Sequence, residues 1–228
     1  MKKRILTTVT TIVLAVVMMG CGGGSGSGSG KSSLKKNEYL GNLPAIYANY
    51  KSAEETNKMN DKKAQELSSV DKRVKERDRL RKELSDISEK YTAEIKAENA
   101  KLAGKEIPFK SSKGLENLKY EVQSVKIDAE GKLVISFIFN EDFKINSKNI
   151  QDYRQSYLRF FAKDGSTIGQ TVSYNFGSAE GVSGITVKKD DLKVVDISSL
   201  HFIKSNAEKW VDFAGIEFVS AEEYKAIK

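Results

Sequence analysis

An α+β fold is predicted for this chain of 228 residues, with an N-terminal helical hairpin or coiled-coil-like stalk followed by an antiparallel β-sandwich. Three observations carry the prediction. Across residues 43–103 apolar side chains recur at spacings of 3 and 4 against a background of Lys, Glu, Ala, Asp and Leu. After Pro108 the period drops to 2, in short runs separated by turn residues. Ahead of both lies a segment that fits neither pattern, an apolar run over residues 5–19 that leads into GGGSGSGSG at residues 22–30. A chain that is 39% hydrophobic and 30% charged holds enough apolar surface for a modest core and too little for a multi-span membrane protein.

The helical part is punctuated at both ends. Pro44 suits a first turn and Gly104 sits just past the last one. Leu43, Ile46, Tyr47 and Tyr50 form one apolar face, Leu67, Val70 and Val74 a second set, and Leu80, Leu84, Ile87, Tyr91 and Ile95 a third. Arg77 and Arg81 occupy seam positions between the last two sets, so the phase slips and an uninterrupted heptad coiled coil is disfavoured. Two arrangements fit. One is a single rod of roughly 90 Å at 1.5 Å per residue. The other is an antiparallel hairpin that turns at the polar stretch 56–61, with its two asparagines. The hairpin is favoured, because each apolar face is too thin to hold a lone helix in water. The many charges on these helices are expected to be a solvated face supported by pairs at four-residue spacing.

The remainder reads as strands. Residues 120–127 and 133–139 flank the turn Asp128-Ala-Glu-Gly-Lys132. Leu133, Ile135, Phe137 and Phe139 fall on one face of the second strand and Val134 and Ile138 on the other, which predicts a central position. Residues 157–161 and 168–176 form a second hairpin around Lys163-Asp-Gly-Ser166, Asp-Gly being a strong turn signal. Further strands are expected over 184–187, 194–203 and 210–219. Ser220 with Glu223 forms a capping-box pattern, which predicts a short terminal helix. With about 120 residues and alternating strands of its own, the part from Ile107 onward is expected to fold alone.

Charge and rare residues exclude several function classes. The formal charge of +7 divides into +3 from Lys2, Lys3 and Arg4, +2 from residues 31–50 and +2 from residues 51–103, while residues 107–228 carry 17 basic and 17 acidic side chains. No basic face is expected on the strand domain, and a nucleic-acid partner is excluded, since that footprint needs clustered cations. One Cys rules out an intramolecular disulfide and a Cys-rich metal site, and one His rules out a multi-His zinc site.

The first residues have the three-part form of a secretory signal: cationic Lys2-Lys3-Arg4, the apolar run, and Gly20 before the only cysteine, Cys21. The run is too short to span a bilayer, which takes about 20 apolar residues. Met19-Gly20-Cys21 resembles the lipobox of bacterial lipoproteins, and Met18 departs from it, since the family usually has an aliphatic residue there. The resemblance implies cleavage between Gly20 and Cys21, a diacylglyceryl group on the Cys21 thiol, and acylation of the new N-terminus. Gly22 is not the Asp that retains such proteins in an inner membrane, so the resemblance favours the outer membrane in a cell with two membranes. The chain then divides into a cleaved signal peptide (1–20), a lipidated Gly/Ser-rich tether (21–42), a helical stalk (43–104) and the strand domain (105–228). The tether is a coil, expected to span roughly 20 Å root-mean-square. The strand domain looks like the immunoglobulin-like sandwiches attached to many bacterial lipoproteins, on the run Val134 to Asn140 and the aromatic strand entering the Asp-Gly turn. No site residues transfer with that likeness.

Little catalytic chemistry is on offer. His201 lies in an apolar alternation with no nucleophile motif to serve. Glu141-Asp142 and Asp190-Asp191 are paired carboxylates at turn-like positions, without the spacing of a calcium loop. Residues 178–184 hold two glycines but lack the Lys-Ser/Thr ending of a phosphate loop. Trp210 with Tyr153, Tyr157, Phe160 and Phe161 suits either core packing or the floor of a sugar or peptide site. No cofactor or metal is expected. The reading is a non-enzymatic envelope lipoprotein with a membrane anchor and a protein or glycan partner. The alternative is an envelope hydrolase that uses paired carboxylates on glycans.

Overall fold

The computed structural model describes residues 33–111, 120–144, 146, 155–174 and 186–227. The chain is α+β. Among the described residues two long helices, α1 (Leu43–Gln65) and α2 (Val70–Leu102), precede nine strands: β1 (Phe109–Ser111), β2 (Tyr120–Ile127), β3 (Lys132–Phe139), β4 (Phe143–Lys144), β5 (Gln155–Ala162), β6 (Thr167–Tyr174), β7 (Thr186–Val187), β8 (Leu192–Ser199) and β9 (Phe213–Val219). A 3-10 segment, Leu200–Asp212, separates β8 from β9, and α3 (Ala221–Ala226) ends the chain.

The strands form three sheets, ordered β1-β9-β5-β6, β2-β3-β8 and β4-β7. Most pairs are antiparallel, but β1 runs parallel to β9, with Phe109 opposite Ile216 and Ser111 opposite Phe218. That corrects the expectation of a wholly antiparallel arrangement. A three-residue strand joined to the last strand of the chain has no local signal. Central β3 has the expected alternation: Leu133, Ile135, Phe137 and Phe139 are buried, and the residues between them are half-buried.

The helices also depart from expectation. Residues 56–61 lie inside α1, and the chain breaks instead at residues 66–69, where Ser69 Oγ accepts from the Lys72 amide to cap α2. Asn57, read as a turn residue, is buried and donates through Nδ2 to the Leu80 carbonyl of α2 at 3.0 Å. Contacts between the helices follow reversed order: Tyr50 stacks on Tyr91, Asn57 meets Leu80, and Asp61 pairs with Arg77. Val70 and Val74, expected on an apolar seam, are 62% and 56% exposed.

Residues 200–212 carry the other correction. Strands were expected through Ile203 and from Trp210, yet this stretch is 3-10 helix, interrupted at Asn206. Leu200, Ile203, Ala207 and Trp210 are all buried, at spacings of 3, 4 and 3, and that helical period outweighs the short Leu200/Phe202 alternation. The segment lies against α1, and its Trp210 packs on Phe160, Phe202 and Phe213.

One core takes residues from every layer. Leu40, Leu43, Tyr47 and Leu102, from the helices and the turn before them, join Val125, Ile135 and Phe137 of the three-stranded sheet and Leu158, Phe160 and Ile216 of the four-stranded one. The change of period at residue 104 is therefore not an edge of the core. Leu43→Ala should lower the stability of the whole chain by about 2–5 kcal/mol, the range for emptying a buried leucine site. Residues 107–228 alone, stripped of Leu40, Leu43, Tyr47 and Leu102, should fail to reproduce the cooperative melt of the full chain by circular dichroism. A fragment melting at the full-chain temperature would show that the helical residues contribute nothing to the core.

Candidate functional site

The described residues offer one extended feature that is neither core nor ordinary strand surface: the helix pair, rooted in the core at one end and carrying charge at the other. Its root is polar and tightly specified. Asn37 is 1% exposed; its Nδ2 donates to the carbonyls of Val211 and Phe213, both at 2.9 Å, and its Oδ1 accepts from the amides of Tyr39 and Leu40. Backbone bonds between Asn37 and Gly41 close the turn. Residues 37–41, inside the segment expected to be tether, thus form a turn bonded to the start of β9.

Glu98 on α2 completes the root. Its carboxylate is buried, accepts the Asn42 amide at 2.8 Å, and pairs with Lys101 at 3.0 Å. Asn42 precedes α1 and makes no side-chain cap, so a carboxylate from the neighbouring helix supplies the negative charge that a helix start favours. Gly41 is required beside it: its φ is +56°, and a Cβ there would stand 2.3 Å from Glu98 Oε1. Burial works against the Glu98 charge, but the bonds donated by Asn42 and Lys101 outweigh it and hold its pKa below the ordinary glutamate value. The next residue of α2, Asn99, rests on Gly131 of the β2–β3 turn and donates to the Glu130 carbonyl at 3.3 Å.

Along the middle of the pair the contacts are aromatic and cationic. Tyr50 and Tyr91 stack at 5.2 Å, Lys204 of the 3-10 segment lies 3.4 Å from the centre of the Tyr50 ring, and Lys90 lies 5.0 Å from that of Tyr91. Lys204 also pairs with Glu54 at 2.7 Å, and Lys51 donates to the Ser205 carbonyl. Toward the far end the two helices border an open groove of about 410 Å³ that Leu80, Leu84, Asp61, Arg77 and Arg81 help to line.

The residues singled out by sequence fall elsewhere. Gly20, Cys21, Tyr153 and residues 178–184 lie outside the described residues, as does the side chain of His201, whose backbone belongs to the 3-10 segment. Trp210 and Phe160 are core residues, and Trp210 Nε1 donates to Asn206 Oδ1 at 3.0 Å. Tyr157 packs on Tyr224, and Lys110 lies over Phe161. The two carboxylate pairs do come together. Asp142 accepts from the Lys189 amide at 2.7 Å and from Lys188 Nζ at 2.9 Å, while Asp191 accepts from the Lys188 amide. The Lys189 amide and the Lys188 ammonium hold the Asp142 pKa below the ordinary aspartate value. These bonds to the backbone and side chain of Lys188 and Lys189 tie the two turns together. Among the described residues no three His, Cys, Asp or Glu side chains converge on a metal position.

Sequence reasoning missed Asn37, Glu98 and Lys204. Their local partners are ordinary turn and helix contacts, and what gives each its role is a further partner at least 50 residues away. No family model, curated protein or solved structure matches the chain.

Glu98→Gln keeps the shape of the root and removes its charge. Above the ordinary glutamate range the variant should be less stable than the parent by about 1–2 kcal/mol, the worth of a charge-assisted hydrogen bond. Because the folded-state pKa is lowered, that advantage is lost as pH falls through it. Urea titrations near neutrality and in acid should therefore show a gap that closes on acidification; a gap independent of pH would assign the loss to shape alone.

Proposed function

We propose that this chain is a lipid-anchored lipoprotein of the bacterial cell envelope, without catalytic activity, that presents its folded part to a protein or glycan partner. The observation that carries the reading is the order of its first thirty residues: Lys2-Lys3-Arg4, an apolar run, Gly20-Cys21 and then GGGSGSGSG. A single cysteine placed at the end of a short apolar run and followed by flexible coil suits a lipid attachment point. Two or three acyl chains, each gaining about 0.8 kcal/mol per buried CH₂, make such an anchor permanent. In a cell with two membranes, Gly22 after the cysteine favours the outer one.

Within this reading α1 and α2 form a helical hairpin, supported by the reversed order of their contacts. The two larger sheets form an immunoglobulin-like sandwich, supported by the core side chains that both contribute. The parallel β1–β9 pair is an addition to that plan.

Cys21→Ala should abolish incorporation of labelled palmitate and leave an uncleaved precursor or a soluble product on fractionation. Palmitate incorporation equal to the parent's in that variant would remove the basis of the proposal.

A further inference from the structure

The helix pair concentrates the positive charge of the molecule at one end. Residues 58–82, which close the far end of α1 and open α2, carry 10 basic and 5 acidic side chains; the rest of the chain after Cys21 carries 25 basic and 26 acidic. The whole excess of cations past the cysteine is thus gathered where the two helices meet. With 23 residues in α1, this end lies about 35 Å from the root.

Ion pairs engage three of the four arginines there, and the fourth, Arg73, donates to the Leu67 carbonyl. Arg77 pairs with Asp61, Arg79 with Glu76 and Glu83, and Arg81 with Asp78. Lys58, Lys62, Lys63, Lys72, Lys75 and Lys82 stand outside these pairs, all exposed. Apolar side chains are exposed among them: Met59 by 50%, Leu67 by 38%, Val70 by 62% and Val74 by 56%. Val70 and Val74 lie one helical turn apart and flank Arg73 beside Gln65 and Arg77.

We infer that the end of the helix pair is a docking surface for an anionic phospholipid bilayer. The lysines are spread around the ends of two helices as point charges, which suits a diffuse layer of negative headgroups more than a ligand of fixed shape. Exposed valine and leucine interleaved with cations have the composition of segments that rest at the headgroup and acyl boundary. A second copy docking end to end would set one cationic cluster against another. The inference goes beyond the proposed anchor and does not depend on it, because it is testable on protein that carries no lipid.

The test uses the unlipidated chain from Gly22 onward, which keeps every described residue, in co-sedimentation with phosphatidylcholine vesicles with and without phosphatidylglycerol. Binding should require phosphatidylglycerol and weaken about tenfold or more at high salt, as screening shortens the reach of the charges. Reversing the cluster with Lys62→Glu, Lys63→Glu, Lys72→Glu and Lys75→Glu should abolish binding while leaving the circular dichroism melt unchanged. Reversing Lys163, Lys189, Lys209 and Lys225 on the strand domain should change binding by less than about twofold. Val70→Ser with Val74→Ser should weaken binding severalfold without altering its salt dependence. Equal binding to neutral vesicles, equal loss from the strand-domain reversal, or binding to soluble polyphosphate without binding to vesicles would overturn the inference. So would pelleting that follows self-association in the absence of vesicles.

Discussion

The architecture depends on burying polar groups at the root of the helices. An α1 of this composition has no apolar face wide enough to hold it on a sheet, and packing rather than propensity must supply its stability. Leu40, Leu43 and Tyr47 provide apolar area in the first turns, but entry into the core exposes backbone amides that water can no longer satisfy. Asn37 and Glu98 accept three of them. An uncompensated buried amide costs about 1–3 kcal/mol, so these two side chains make the burial of the leucines possible. Gly41 follows from the same need, since the Glu98 carboxylate occupies the space a β-carbon would take.

Beyond the root the pair is held by polar and aromatic contacts. Tyr50, Tyr91, Lys204 and Glu54 form one continuous arrangement in which cations meet ring faces and a carboxylate. Such contacts specify orientation well while adding modest stability at a half-exposed site. Farther out Asn57, Ala64 and Leu80 are the buried residues of the two helices, and Asn57 and Leu80 also line the groove. The gradient from buried root to exposed, charged end separates a part fixed in the core from a part that lies outside it.

How much of this was legible follows from the range over which each residue acts. The alternation of Leu133, Ile135, Phe137 and Phe139 is local, and so is the reciprocal bonding of Ser220 and Glu223 that caps α3; both were readable. Leu200, Ile203, Ala207 and Trp210 were equally local, but one apolar alternation at their start was given more weight than the helical spacing over the whole stretch. The asparagines near residue 57 have the composition of a turn, and only the facing Leu80 carbonyl makes a helical asparagine favourable. Val70 and Val74 keep a seam spacing although no partner face is opposite them, which periodicity alone does not disclose. Glu98 was one of twelve acids in a charge-mixed stretch, and its role depends on Asn42, 56 positions away. The parallel pairing of β1 depends on residues a hundred positions later.

Both ends of the helical excursion return to the same strand. Ahead of it, Asn37 is bonded to the carbonyl of Phe213, where β9 begins; behind it, β1 is laddered to Ile216, Glu217 and Phe218 of that strand. Tension applied to the chain ahead of Asn37 therefore passes into β9 across a few short bonds and is spread through the four-stranded sheet, without travelling along α1 or α2. The helices form a side branch of the mechanical path. They can swing or strain at their free end while the strands bear the load.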